Sequence, residues 1–353
     1  MYFSGIREKT IQTKRLNVSY LEAGEPTKQA MILIHGNFSS SHFWPENMRA
    51  LAKGYWVLAP DLRGFGNTEA LPIDATRGMR DWSDDLFSLV EALEIKTPFH
   101  LIGWSLGGSV ALQYAIEHPT DLASLVLIAP GPPYGATGTK GLEGELCYPN
   151  NAGAGAGGSN PLLTQAILNK DRSEDNPNTP RSMINNVYFK PPFRLSKEVE
   201  DILVESVLTT RIGEDFNPGN FEKVPEWPGF APGTKGVLNT LAPKYHNLSG
   251  IIDITPKMPI LWVRGTDDKI ISDSSAADFA LLGKLGLVPG WPGEEVFPVV
   301  PMIQQTRAVL DKYKANGGIY EEFVIPDTAH SPHIEKPEVF HSKLASFIAE
   351  YCK

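Results

Sequence analysis

The chain contains very little cysteine: only Cys147 and Cys352 occur among its 353 residues. Two cysteines cannot build a disulfide framework or a four-cysteine zinc site, and such low usage fits a reducing compartment. The first residues also lack the basic start and the long apolar run of a secretory signal, so we expect a cytoplasmic protein. No apolar stretch reaches about 18 residues, the minimum for a helix that crosses a bilayer, so no membrane span is predicted.

Basic side chains are outnumbered as well. The chain has 32 lysine and arginine residues against 41 aspartate and glutamate residues, which gives a formal charge of −9 at pH 7. A surface of this sign repels phosphate groups, so no nucleic-acid partner is predicted. Apolar residues make up 42% of the composition, enough to form a sizeable buried core.

Short apolar runs separated by helical patterns occupy the two ends of the chain. Residues 11–23 alternate as in an antiparallel ribbon, whereas the later runs are apolar on both faces, as in strands of a parallel sheet covered by helices. Amphipathic helices are predicted around 79–93 and 339–351. This alternation predicts a doubly wound α/β sheet with its functional site at the carboxyl ends of the strands. The predicted parallel strands are 31–34, 56–59, 99–102, 125–129, 260–263 and 320–325.

One interval interrupts the alternation. From Gly131 to Lys257, 127 residues separate two predicted strands, far more than a compact domain uses for a connection. We therefore expect a core formed by residues 1–130 and 258–353, and an inserted lid formed by residues 131–257. Residues 131–160 contain 12 glycines and prolines and are expected to be mobile or irregular. Residues 286–301 are expected to form a loop on the substrate side.

The most informative motif is Gly-Trp-Ser-Leu-Gly at residues 103–107, which follows a predicted strand and opens a predicted helix. A G-x-S-x-G turn of this kind leaves no room for side chains two residues before and two residues after the serine. It exposes the serine hydroxyl at a helix N-terminus. Ser105 is therefore the candidate nucleophile. A chance glycine-rich loop is the alternative, but the flanking strand and helix favour the nucleophile.

A serine nucleophile needs a base and a carboxylate that orients the base. Asp268 and His330 each follow a predicted strand, and the chain order Ser105, Asp268, His330 is the order of nucleophile, acid and base in hydrolases with this motif. Asp267 is the rival acid. Asp273 is expected to cap a helix instead.

A metal site is an alternative use of the same histidine. Asp327, His330 and His333 lie at three-residue spacing, which could place them on one side of a turn. Neither an H-E-x-x-H motif nor a cysteine cluster accompanies them. No metal and no cofactor are therefore predicted, and His333 is expected to pack in the core or to support the site residues from behind.

The segment 35–38, with the sequence His-Gly-Asn-Phe, follows an early predicted strand. Its backbone N–H groups would lie opposite the nucleophile, where they could stabilise a developing oxyanion. The predicted oxyanion hole uses the backbone amides of Asn37 and Leu106, with Phe38 as the alternative to Asn37. His35 is expected to support this loop through a hydrogen bond rather than to transfer protons.

These motifs together resemble the α/β-hydrolase family. The resemblance implies an α/β-hydrolase fold, with a mostly parallel eight-stranded sheet flanked by helices and a lid inserted after the sixth strand. It also implies esterase-like or lipase-like activity, with Ser105 as nucleophile, Asp268 as acid and His330 as base. The asparagine after His-Gly is similar to one in the haloalkane dehalogenases, where it helps to bind halide. Those enzymes, however, carry an aspartate where this chain has Ser105.

The predicted mechanism is an acyl-enzyme on Ser105, hydrolysed by water that His330 activates, and the predicted substrate is a carboxylic ester or lactone. Amide hydrolysis, C–C bond hydrolysis and perhydrolysis use the same triad and stay open, as does a non-catalytic small-molecule receptor on the same fold. Lid aromatics favour a medium-sized, mainly apolar substrate, although roughly half of them are expected to pack within the lid itself. The chain is expected to be a monomer or a homodimer. The predicted substrate-binding residues are Trp104, Tyr134, Trp227 and Trp291.

Overall fold

An eight-stranded sheet is the largest element of the computed structural model, which describes residues 2–352. This sheet confirms the predicted α/β architecture, and the predicted strands agree with it to within a few residues. The strands are β1 (Arg7–Gln12), β2 (Asn17–Ala23), β3 (Ala30–Ile34), β4 (Trp56–Pro60), β5 (Phe99–Trp104), β6 (Leu122–Ile128), β7 (Ile260–Gly265) and β8 (Tyr320–Ile325).

The order of strands across the sheet is β1-β2-β4-β3-β5-β6-β7-β8. Strand β2 runs antiparallel to both of its neighbours. Every neighbouring pair from β4 to β8 is parallel. Parallel strands end at the same edge of a sheet, so the loops after β3, β5, β7 and β8 lie on one side of the molecule. These four loops contain the predicted catalytic and oxyanion residues.

Helices cover both faces of the sheet. No helix of residues 2–352 combines the length and the apolar character that crossing a membrane would require. The helices are α1 (Pro45–Leu51), α2 (Arg80–Ala92), α3 (Leu106–Glu117), α4 (Pro161–Leu168), α5 (Pro180–Met183), α6 (Lys197–Leu208), α7 (Val237–Thr240), α8 (Phe279–Lys284), α9 (Met302–Ala315), α10 (Pro332–Glu335) and α11 (Pro337–Tyr351).

Alternate residues of the central strands enter two different cores. In β3, Ile32 and Ile34 join a core with residues of α2, α3 and α9, whereas Met31 and Leu33 join a core with residues of α1 and α11. All four side chains are fully buried. Because both faces are covered, the strand is a continuous apolar run rather than an alternating one. Each such burial stabilises the fold by roughly 1.5–3 kcal/mol.

Residues 129–259 join β6 to β7 and are named the connecting segment below. The segment contains α4 to α7 and a π-helix at Ile184–Tyr188. It also contains three short strand pairs, which within the described residues stay separate from the main sheet. The segment therefore lies outside the regular sheet, although both of its ends are fixed by sheet strands.

The glycine-rich part of the connecting segment, residues 131–160, is irregular as predicted, but it is closely packed. A Cβ atom at Gly153 would lie 2.5 Å from Cζ of Phe297, and one at Gly155 would lie 2.3 Å from Oδ1 of Asn239. These glycines let the backbone approach neighbouring side chains, a role that requires no freedom of motion. The irregular backbone agrees with the prediction, and these glycines are where the backbone packs closely.

Candidate active site

Ser105 lies in a strained turn between β5 and α3. Its backbone angles are φ 55° and ψ −121°, a conformation that residues with a side chain rarely adopt and that costs roughly 1–3 kcal/mol. A Cβ atom at Gly103 would lie 2.2 Å from the carbonyl oxygen of Gly107, and one at Gly107 would lie 2.4 Å from that of His35. Only glycine fits on either side of this turn, as the motif predicts.

Asp268 and His330 form a buried pair after the neighbouring strands β7 and β8. Asp268 Oδ2 lies 2.8 Å from His330 Nδ1, and the two side chains are only 2% and 1% exposed. The other carboxylate oxygen, Oδ1, accepts hydrogen bonds from the backbone N–H groups of Ile270 at 2.8 Å and Ile271 at 3.0 Å. A carboxylate only accepts, so the neutral imidazole carries its proton on Nδ1 and leaves Nε2 as an acceptor. His330 and Ser105 line the same cavity.

The rival acids take other roles. Asp267 forms a surface ion pair with Lys190, with 3.0 Å between Oδ1 and Nζ. Asp273 accepts a hydrogen bond from the backbone N–H of Ile303 at 2.8 Å, in the first turn of α9. The expectation that Asp273 caps a helix is confirmed. Of the three aspartates, Asp268 is the one that the structure brings to the histidine.

His333 packs behind His330. Its ring centroid lies 4.7 Å from that of Trp44 and 5.4 Å from that of Trp104. Burial lowers the pKa of His333 well below its usual range, and the neighbouring His330 adds to this effect. Asp327 forms a surface ion pair. The packing role predicted for His333 is confirmed, and no group of three or more His, Cys, Asp or Glu residues within 2–352 is arranged to hold a metal ion.

Hydrogen bonds from buried residues hold the loop after β3 in place. His35 Nε2 accepts a hydrogen bond from the backbone N–H of Leu62 at 2.9 Å, so its Nδ1 carries the proton and donates to the carbonyl oxygen of Gly36 at 2.8 Å. The hydroxyl of Ser39 donates to the same oxygen at 2.7 Å. Burial lowers the pKa of His35 to about 4, so the imidazole is neutral in this role. The supporting role predicted for His35 is confirmed.

The three predicted oxyanion donors differ in whether their N–H groups are free. The backbone N–H of Phe38 donates to Oδ1 of Asn37 at 3.0 Å, and Phe38 has a positive φ of 45°. Among residues 2–352, the backbone N–H groups of Asn37 and Leu106 have no hydrogen-bond acceptor. Both residues line the cavity beside Ser105. The geometry therefore favours Asn37 over Phe38 as the partner of Leu106.

One cavity of about 610 Å³ adjoins these groups. This volume lies within the roughly 300–1,000 Å³ that is typical of small-molecule sites. Among the described residues of its wall, Lys269 is the only lysine, arginine, aspartate or glutamate. The apolar part of the wall is formed by Leu163, Met183, Val187, Leu238, Leu241, Ile270, Ile271, Phe279, Leu282 and Met302.

Comparison with protein families agrees with this geometry. The family model described as "Alpha/beta hydrolase family" matches residues 31–342, which is most of the chain. The chain belongs to the alpha/beta hydrolase family.

Curated members of this family match only part of the chain. The 2-hydroxy-6-oxo-6-phenylhexa-2,4-dienoate hydrolase of Comamonas testosteroni is 33% identical over 133 residues, which cover 36% of this chain and 44% of that protein. Lipase 1 of Psychrobacter immobilis is 28% identical over 186 residues, which cover 53% of this chain and 51% of that protein. The chain thus spans about half the length of these relatives.

Solved structures share the alpha/beta hydrolase fold over almost the whole chain. An esterase from Thermogutta terrifontis has a TM-score of 0.58 at 19% identity and covers 98% of this chain and 100% of that one. A serine hydrolase from Cycloclasticus zankles has a TM-score of 0.61 at 19% identity and covers 98% of each chain. At these identities the likeness shows the fold alone.

The structure places Trp104 in the core of this alpha/beta hydrolase rather than at the cavity wall. Its indole N–H donates to the carbonyl oxygen of His330 at 2.8 Å, and its ring stacks on Phe43 with 5.4 Å between centroids. Trp104 is fully buried and is not among the lining residues. The structure therefore does not bring Trp104 to the cavity, because its indole N–H holds the backbone of the histidine loop.

The other three residues predicted to bind substrate also lie away from the cavity wall. Trp227 and Trp291 donate their indole N–H groups to backbone carbonyl oxygens within residues 286–301, each at 2.9 Å. Tyr134 packs against the backbone of the glycine-rich part. Of the described residues, none in 286–301 lines the cavity. These aromatics hold loops together, and the structure does not bring the predicted substrate-side loop to the cavity wall.

Two residues that position the site escaped the sequence analysis. Asn217 Nδ2 donates to Oδ1 of Asn37 at 2.6 Å. Glu335 accepts hydrogen bonds from the backbone N–H groups of Ala329 at 2.8 Å and Lys190 at 2.7 Å, and burial raises the pKa of its carboxyl group. No local motif marks either residue, because Asn37 and Lys190 lie 180 and 145 positions away from Asn217 and Glu335.

Proposed function

We propose that this chain is a serine hydrolase that cleaves a carboxylic ester or lactone through an acyl-enzyme on Ser105. The observation that carries the proposal is the 2.8 Å contact between Asp268 and His330 at a cavity that Ser105 also lines. A histidine oriented by a carboxylate in this way can take the proton of a serine hydroxyl. Binding alone would not require this set of side chains.

In the proposed reaction, His330 Nε2 takes the proton of the Ser105 hydroxyl while Oγ attacks the carbonyl carbon of the substrate. The carbonyl oxygen becomes negatively charged, and the N–H groups of Asn37 and Leu106 stabilise it. His330 then gives the proton to the leaving alcohol oxygen as the C–O bond breaks. Water that His330 deprotonates attacks the acyl carbon, which releases the acid and returns the proton to Ser105.

We also propose that residues 131–257 form a lid over a core of residues 1–130 and 258–353. The lid would form much of the cavity wall, and the positions of Leu163 and Tyr188 at that wall support this proposal. The wall is mostly apolar and its volume suits a medium-sized ligand. The preferred substrate is therefore a medium-sized, mainly apolar ester.

The first experiment is mass spectrometry of the intact protein after exposure to a fluorophosphonate, with Ser105→Ala as the matched control. A panel of p-nitrophenyl esters of increasing acyl length is assayed in parallel. We expect one adduct that the control lacks, and fastest hydrolysis at intermediate acyl lengths. A folded chain that takes up no label would favour a non-catalytic receptor. Cleavage of acetate esters alone would contradict the medium-sized apolar substrate.

C–C bond hydrolysis is the second candidate function. Relatives from Comamonas testosteroni and Burkholderia cepacia are named as hydrolases of a phenyl-substituted dienoate, which carries a carboxylate. Lys269 lies at the cavity wall, where its ammonium group could form an ion pair with such a carboxylate.

The two candidates can be separated with Lys269→Met. If the chain cleaves dienoates, this change should raise the KM for the dienoate about tenfold more than the KM for a neutral ester, since a charge-assisted hydrogen bond contributes roughly 1.5–3 kcal/mol. No cleavage of the dienoate by the unmodified chain would leave ester hydrolysis as the function. An equal change in KM for both substrates would contradict the pairing of Lys269 with the carboxylate.

A further inference from the structure

The connecting segment reaches the loop that contains the proposed oxyanion donor Asn37. The phenol of Tyr188 donates a hydrogen bond to the carbonyl oxygen of Asn37 at 2.7 Å. The side-chain amide of Asn217 donates to Oδ1 of the same asparagine at 2.6 Å. Two residues of the connecting segment therefore hold both the main chain and the side chain of Asn37.

The two peptide groups that flank Asn37 are held from different parts of the molecule. The peptide before it is fixed by the core, because the carbonyl oxygen of Gly36 accepts hydrogen bonds from His35 and Ser39. The peptide after it is fixed by Tyr188 at its oxygen, and its N–H donates to the Asn37 side chain. The N–H of Asn37 lies in the first of these two planes, which the core holds. The second plane holds the other side of the Asn37 Cα atom, so a shift of that plane would displace Asn37 and its N–H indirectly.

Tyr188 also contacts the loop of the proposed base. Its carbonyl oxygen accepts a hydrogen bond from the backbone N–H of Ser331 at 3.0 Å. Its ring centroid lies 5.7 Å from that of His330 and 5.2 Å from that of Trp104. Tyr188 is the last residue of the π-helix, an element that often occurs at functional sites. One buried tyrosine thus links the oxyanion loop to the histidine loop.

The phenol of Tyr188 is suited to a permanent donor role. Burial raises the pKa of Tyr188, so the hydroxyl keeps its proton at neutral pH and remains a donor. Its ring is already ordered by aromatic neighbours, including Phe43 at 6.2 Å between centroids. Removal of the hydroxyl alone would leave the ring packed and the carbonyl oxygen of Asn37 without its donor.

We propose that Tyr188 and Asn217 are positioning residues for the oxyanion hole, through which the connecting segment controls the rate of acyl transfer. This inference rests on the proposed function, because it assumes that the N–H of Asn37 stabilises an oxyanion. Since Phe38 has a positive φ, the peptide after Asn37 has a less strained alternative once the phenol is gone. A displacement of about 1 Å at such a donor costs on the order of 10²-fold in rate.

The test compares Tyr188→Phe with Tyr313→Phe. The phenol of Tyr313 also donates to a buried backbone carbonyl oxygen, that of Met258, but Tyr313 lies outside the cavity wall. For Tyr188→Phe we expect kcat for a p-nitrophenyl ester to fall about 10- to 100-fold with KM nearly constant. Affinity for a trifluoromethyl ketone, which places an oxyanion in the hole, should fall by the same factor as kcat/KM. Tyr313→Phe should change neither quantity.

Asn217→Ala provides an independent check, with a smaller fall in kcat because Oδ1 of Asn37 keeps its hydrogen bond from Phe38. Equal losses in Tyr188→Phe and Tyr313→Phe, an effect on KM alone, or unchanged ketone affinity would overturn the inference. Failure of the unmodified chain to react with the fluorophosphonate would instead overturn the proposed function, and the inference with it.

Discussion

The sheet core and the connecting segment meet at one cavity, but they are built in different ways. In the core, Ser105, Asp268 and His330 each follow a strand, and the parallel sheet brings the three strand ends together. In the connecting segment, wall residues such as Leu163 and Tyr188 come from a short helix and a π-helix. Because separate elements supply the two sets of residues, we expect changes in the wall to leave the strands that hold the proposed catalytic residues in place.

The largest expected effect concerns the core. Asp268→Asn should lower kcat about 10⁴-fold, because an amide no longer holds the proton of His330 on Nδ1. Steady-state kinetics with a p-nitrophenyl ester would measure the loss, and circular dichroism would verify the fold. Asp267→Asn is the matched control, since Asp267 pairs with a surface lysine, and it should stay near the unmodified rate. Similar losses in both variants would contradict the assignment of Asp268 as the acid.

A second prediction concerns the stability of the core turn. Gly107→Ala should lower the free energy of unfolding by roughly 3 kcal/mol, because the new Cβ would lie 2.4 Å from the backbone carbonyl oxygens of both Ile34 and His35. Thermal unfolding would measure the change. Gly54→Ala, where the nearest atom is 4.0 Å away, should be almost neutral. A stable Gly107→Ala variant would show that β3 and α3 can separate.

A glycine-to-alanine change should lower the free energy of unfolding less in the connecting segment than in the core turn. Gly153→Ala would bring a Cβ to 2.5 Å from the buried Phe297 ring at a φ of +84°, and we expect a loss of roughly 2 kcal/mol. Gly141→Ala has a similar φ of +63° but nothing within 4 Å, so it isolates the backbone contribution. The fluorophosphonate should still label Ser105 in Gly153→Ala, while the preferred acyl length shifts. Loss of labelling would mean that the segment and the triad form one unit.

The sheet and the three proposed catalytic residues were predictable from sequence because their signals are local. A strand covered on both faces is a continuous apolar run, and the nucleophile turn needs glycines at fixed positions around Ser105. Asp268 and His330 follow from strand ends, so topology alone brings them together. These features depend on a few neighbouring residues and on the order of the elements.

The cavity wall was not predictable because it depends on contacts between distant residues. Trp104 adjoins Ser105 in sequence, yet its indole fixes the backbone of His330 instead of reaching the cavity. Asn217 donates a hydrogen bond to Asn37, 180 positions earlier in the chain, and no motif marks Asn217 itself. About half of the lid aromatics were expected at the cavity, whereas none of the four aromatic residues predicted to bind substrate lines it.

The smallest predicted effects come from buried histidines, which occur in both regions. Burial lowers the pKa values of His35, His100 and His246 from 6.5 to about 4. Such a group binds protons more readily in the unfolded chain, so its contribution to stability is complete above pH 6.5 and is lost as the pH falls towards 4. Asp278 acts in the opposite sense, because burial raises its pKa to about 6. Burial also lowers the pKa values of His333 and His341 and raises the pKa of Glu335. Five histidines against two carboxyl groups should make the protein less stable at pH 4.5 than at pH 7.

Thermal unfolding between pH 4 and pH 7 tests this prediction. It also tests whether the core and the connecting segment unfold together. His100→Gln in the core and His246→Gln in the connecting segment should each flatten the pH dependence by up to about 1.4 kcal/mol per pH unit. If core and segment unfold together, both changes act on one transition. If the segment unfolds by itself, His246→Gln changes only an earlier transition, and the proposed lid is a separate folding unit. A pH dependence that neither variant alters would contradict the role of these histidines.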